Sequence, residues 1–238
     1  MSQPDSAYPD RAAPPPVSTA AIGRLAIAGG LGFLVASLAG DLVIGAFPGP
    51  GTPASQLVPY YAAHHAQVQA GGMLLALGGI FFVLFGLAMW GRIREASASP
   101  LLAGLAIIAT TLVALTTLAS AGSYGVLGDI GSQPAVTPAA LQAWHIMGSD
   151  GSLADSASTF LFLVMAAGAG LLARSVPRWL AWSALLLAVL TLVPGQFGFL
   201  ASLAFYAWAA AAGICLLFAR QPRSHVTYVP VQEEARHA

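Results

Sequence analysis

A chain of 238 residues that is 57% hydrophobic and only 8% charged lies far from soluble proteins, which average about 25% charged. Nine arginines balance nine carboxylates, so the formal net charge is zero and there is no bulk electrostatic case for nucleic acid. The single cysteine, Cys215, excludes an intrachain disulfide, a thiolate metal site and a CxxC redox motif.

In chain order, residues 1–22 read as a disordered cytoplasmic tail, with five prolines among the first twenty residues. The first apolar run covers 25–47, longer than the roughly 7–15-residue apolar region of a secretory signal peptide, and stops at the breaker string PGPGTP at 48–53. Residues 55–69 predict a separate outer helix, with Ser55 as N-cap and Tyr60 and Tyr61 at the membrane surface. Further spans follow at 70–90, 101–123, 156–173, 179–193 and 199–218. The long connection 124–155 holds a second capped helix, TPAALQAWHIM, broken by GSDG, and Pro194 and Gly195 turn the chain between the last two spans. The spans at 156–173 and 179–193 are short, which calls for a start in the interface or local bilayer thinning.

All nine basic residues fall on one side of this pattern: Arg11 and Arg24, Arg92 and Arg94, Arg174 and Arg178, then Arg220, Arg223 and Arg236. Positive residues in short connections stay cytoplasmic during insertion. The expected fold is therefore an all-α membrane bundle of six transmembrane helices with both termini inside and short interfacial helices outside. Its membrane domain is 23–220, with a second tail at 221–238.

Water does not press helices together within a bilayer, so close backbone approach must do so. Ala28, Gly32, Ala36 and Gly40 place a small residue at every fourth position, a helix-packing stripe that serves either this chain or a partner. In the last span Ala201, Ala209 and Gly213 lie on one face and Ala204 and Ala212 on another, read as contact stripes of the same kind.

Asp41 is the most informative single residue. It lies 17 positions after Arg24, about 25 Å along a helix, in the outer third of the hydrocarbon. A carboxylate at that depth is costly and marks either a functional site or a hydrogen bond to a neighbouring helix. Thr116 and Ser120 share a face of the third span, Asp155 and Ser158 open the fourth, and Tyr206 sits in the sixth. With Asp41 they form the candidate ligand-binding set. They would line an outward-facing polar cavity, joined by Ser123, Ser156, Thr159 and Ser202, or would make interhelical hydrogen bonds instead.

His64, His65 and His145, with Asp129, Asp150 and Asp155, carry metal-compatible donors on the outer side. Adjacent helical residues diverge by about 100°, and no His pair sits at i, i+4, so they read as interfacial histidines wetted by solvent, with no metal or cofactor. Phosphate-binding glycine loops and a GxSxG elbow are lacking. Trp90, Trp179 and Trp182 flank cytoplasmic turns as interface anchors.

The segments VPYYAAHHAQVQAGGMLLALG, from Val58, and SVPRWLAWSALLLAVL, from Ser175, resemble uncharacterised six-span integral membrane proteins of actinobacteria. The resemblance implies a bacterial plasma-membrane location, and it carries no activity and no functional residue. Three functions follow from the residues. The first is a non-catalytic protein that packs against itself, as a homo-oligomer, or into a larger membrane complex. The second is binding or transport of a small molecule or lipid near Asp41. The third is a membrane-embedded, metal-dependent enzyme.

Overall fold

The structure, a computed structural model, describes residues 19–96, 99–131, 133, 135–150, 152–172, 174–193 and 196–218. The tails expected before 19 and after 218, and the turn expected at 194–195, lie outside the described residues. Among the described residues there are seven helices: α1 (Thr19–Ile44), α2 (Ala54–Ala96), α3 (Pro100–Gly131), α4 (Pro138–Asp150), α5 (Ser152–Leu172), α6 (Arg178–Thr191) and α7 (Gln196–Phe218). Among the described residues there is no strand. Thr19 to Ile22, expected in the tail, are already helical.

Successive legs run antiparallel. Ile22 lies beside Gly91 and Ile44 beside Gly71, while Gly72 meets Ala121 and Gly86 meets Thr110. Ser158 pairs with Thr116, and Gly23 meets Leu217. The beginning of α1 and the end of α7 therefore share one end of the bundle with Arg24, Arg92 and Arg94; α4 covers the other end. Among the described residues, five helical stretches are long and apolar enough to cross a membrane: α1, α2, α3, the α4–α5 run and α7. The sixth leg, α6, has only 14 residues, about 21 Å of helix. Large apolar side chains point outward, with Val35 64%, Met73 63% and Leu186 64% exposed, the opposite of a water-soluble surface. The chain is a helical membrane protein.

Two boundaries differ from expectation for the same reason. The outer helix expected at 55–69 and the span at 70–90 are one helix of 43 residues, about 64 Å, roughly twice the hydrocarbon thickness. Gly71 and Gly72 do not break it, because α1 packs on one and α3 on the other. Backbone amides of Gln56 and Leu57 bond to the Pro53 carbonyl, so the helix starts before Ser55 and Ser55 is not its cap. Likewise α3 continues past Ser123 to Gly131, where Gly128 and Gly131 lie against His65, Gln69 and Tyr61 of α2. α1 ends three residues earlier than expected, at Ile44. Gly45 takes φ +67°, and its N–H donates to the Asp41 carbonyl at 2.9 Å, a left-handed cap that a side chain would disfavour.

The core splits into two seams and a cap. α1 is pressed against α2 and α7 through glycines: a β-carbon at Gly29 would come 2.3 Å from the Phe85 nitrogen, and one at Gly30 would come 2.5 Å from the Ala209 oxygen. Ala28, expected in this stripe, is exposed, whereas Ala36 and Gly40 are buried and Gly32 faces the Phe81 ring. On the other side, rings hold the backbones apart. Phe82 of α2, Phe162 of α5 and Phe205 of α7 pack with centroids 4.9–6.0 Å apart, and Trp208 donates from Nε1 to the Leu180 carbonyl of α6 at 3.1 Å. At the α4 end, Leu57, Tyr61, Val68, Leu127 and Leu141 form a small separate core. Thr137 caps α4 by accepting from the Ala140 amide at 3.3 Å.

Candidate functional site

Where α1, α3, α5 and α7 approach the α4 end, the ring layer stops and a cavity of about 690 Å³ opens. Phe33 forms part of its floor, edge-on to Tyr206 at 5.1 Å and to Phe205 at 5.6 Å. The connection after α1 borders it through Phe47, Pro48 and Pro50. α6 ends at Thr191, and Thr191, Leu192 and Val193 with Phe199 form the side wall. The volume lies within the roughly 300–1,000 Å³ of small-molecule sites.

Four of the six candidate residues line this space: Asp41, Ser120, Asp155 and Tyr206. Asp41 occupies the last turn of α1, held there by the Gly45 cap, and accepts a hydrogen bond from the Tyr206 hydroxyl of α7. Asp155 sits in the first turn of α5, where the free amides of a helix start favour a carboxylate. Its Oδ2 accepts from the Ser120 hydroxyl of α3 at 2.8 Å. Thr116 and Ser158 stand just behind this wall, 2.9 Å from each other. They join α3 to α5 and so set the position of Asp155. Ser156, Thr159 and Ser202 also line the cavity, and Ser123 donates to its own helix at the Ala119 carbonyl. Among the described residues, neither carboxylate has an arginine or histidine partner; the ion pair described here joins Arg92 to Glu95 at the opposite end.

Above the cavity sits an aromatic cap. Phe47 contacts Tyr124 edge-on at 5.3 Å and stacks on His145 at 5.3 Å. His145, expected to be wetted by solvent, is instead completely buried. Its Nε2 lies 2.9 Å from the Gly49 carbonyl and its Nδ1 lies 2.9 Å from the Tyr61 hydroxyl. A carbonyl only accepts, so Nε2 carries the proton; in the neutral ring Nδ1 then accepts from Tyr61. The imidazole thus ties the α1–α2 connection to α2 and α4. The signal was present in the sequence: Leu141 and His145 are four residues apart on one face of α4, and both are buried, while Trp144 is exposed. Three further bonds hold the same connection: Tyr60 to the Ala46 carbonyl at 3.3 Å, Gln67 to the Val43 carbonyl at 2.5 Å, and the Gly45 cap.

His64 and His65 are exposed and bond to carbonyls of their own helix, with His64 stacked on Tyr60 at 4.6 Å. Asp129 accepts from Gln69 at 2.9 Å, away from the cavity lining. The Asp150 side chain lies outside the described residues. Among the described residues no group of three His, Cys, Asp or Glu is placed to hold a metal ion.

No protein-family model, curated protein or solved structure matches this chain.

Proposed function

We propose that this protein binds a small molecule in the cavity between α1, α3, α5 and α7. The observation that carries the reading is the convergence of Asp41, Ser120, Asp155 and Tyr206, from four different helices, on one space of ligand size. Polar groups at this depth are costly against acyl chains, and a polar cavity accommodates them. The small-residue stripe, on which a self-packing role rests, is used within the chain at Ala36 and Gly40, so it leaves the cavity as the principal unexplained feature.

The proposal includes the setting: six crossings of a bacterial plasma membrane, both termini cytoplasmic, with the cavity towards the outside. The arginine alternation supports it, and the short α6 would cross where the bilayer thins beside the cavity. Two measurements test the reading. In a Cys215→Ser background, a cysteine at Ser55 should label with an impermeant thiol reagent in intact cells, and one at Ser99 only after lysis; the reverse would overturn the orientation. Ala157→Trp, at an exposed position on the cavity wall, should remove small molecules seen by native mass spectrometry of the protein in nanodiscs, with unfolding unchanged. A bound population identical in parent and variant would place the ligand elsewhere.

A further inference from the structure

We infer that the cavity's ligand is a monovalent organic cation, an ammonium on an apolar or aromatic body, held between Asp41 and Asp155. This rests on the cavity being a binding site and adds the chemical class of what it takes.

Among the described residues, the wall carries two carboxylates from different helices, α1 and α5, and no arginine or histidine. Their donors are hydroxyls: Tyr206 on Asp41, Thr116 and Ser120 on Asp155. A carboxylate has about four lone-pair positions, so each retains acceptor capacity towards the cavity. A buried carboxylate without a counter-charge is unfavourable, and an ammonium ligand supplies one positive charge for the pair to share. An anion would meet both carboxylates with nothing to balance it.

The rest of the lining selects among cations. Phe33, Phe47, Tyr124, Phe199 and Tyr206 border the space, and aromatic faces attract ammonium groups through the ring quadrupole. Leu75 and Leu153 supply apolar surface for an organic body. A dehydrated divalent metal is a poorer match: calcium takes about six to eight oxygen ligands, and the described residues bring no third acidic or histidine ligand to the pair. The volume of about 690 Å³ also far exceeds one ion.

The test uses full-length protein in nanodiscs and three probes of nearly the same shape: benzyltrimethylammonium, its uncharged carbon isostere neopentylbenzene, and phenylacetate. Empty nanodiscs correct for partitioning, and Ala157→Trp corrects for binding outside the cavity. The ammonium should bind the parent at least ~10-fold more tightly than either other probe, and Asp41→Asn or Asp155→Asn should each weaken it by ~10-fold or more. Circular dichroism and unfolding of each variant report its folding; the charge series on the parent alone decides the matter should a variant fail to fold. Neutral binding equal to the ammonium's, blocked by Ala157→Trp, would overturn the cation assignment and leave the binding site standing. Preference for phenylacetate would do the same. If no probe binds the parent above empty nanodiscs, and native spectra of parent and Ala157→Trp are identical, the cavity reading itself fails.

Discussion

The two sides of α1's bundle solve the same packing problem in opposite ways. At Gly29 and Gly30 of α1 no side chain separates the backbones, so Gly29 lies on Phe85 and Gly30 on Ala209. Between α5 and α7, large rings act as spacers, and α6 ends after 14 residues. Dispersion and close approach drive association in a bilayer, so the first seam is where stability concentrates. The second leaves an unfilled volume where the spacers stop, which is what a binding site needs. Rigidity on one side supports room on the other.

The largest effect should come from testing this contrast with one methyl group. Gly29→Ala puts a β-carbon against backbone atoms at 2.3 and 2.8 Å that cannot rotate away, and should cost about 2 kcal/mol or more in unfolding by detergent titration. Gly168→Ala, with nothing within 4 Å of the added carbon, should be neutral or stabilise by up to about 1 kcal/mol through helix propensity. Equal effects at both positions would remove the distinction between seam and spacer.

Next in size is His145→Ala, which empties a buried site in the aromatic cap, strands the buried Tyr61 hydroxyl and removes the tie to the Gly49 carbonyl. A loss of about 2–3 kcal/mol is expected. Because this cap is a core of its own, amide exchange should rise in α4 and at 46–53 before it rises in α1. Uniform acceleration along the chain would mean that the cap and bundle unfold as one unit.

The smallest effect on stability belongs to Asp41→Asn. The amide oxygen still accepts from Tyr206, and interhelical hydrogen bonds in membranes average only about 0.6 kcal/mol. Unfolding should therefore move by less than about 1 kcal/mol, and loss of a cationic ligand should not follow the stability change. Destabilisation on the scale of Gly29→Ala would make Asp41 a structural strut of the tight seam and not a wall of the open side.

Much of the cavity was legible before any coordinates because depth is a one-dimensional quantity. A helix rises 1.5 Å per residue, so counting from the ends of each apolar run places Asp41, Ser120, Asp155 and Tyr206 in one layer. Neighbours within a layer are a different matter. Thr116 and Ser158 occupy the same layer yet face each other behind the wall, and Ala28 shares its stripe's spacing but faces outward. Four-residue spacing drifts around a helix, so it does not say which of two adjacent partners each position meets.

The amino-acid sequence by itself determined a helical membrane protein, its arginine alternation and its polar layer, because hydrophobic length and charge act on each segment independently of the others. Only the tertiary structure decided that α2 runs unbroken through Gly71 and Gly72, that Gly29 and Gly30 carry the closest contacts, and that His145 is sealed inside a cap. Those outcomes depend on what a neighbouring helix offers: a glycine pair is a weak point in isolation and a docking surface when two helices fill it, and an imidazole is buried only where a carbonyl and a hydroxyl meet both of its nitrogens.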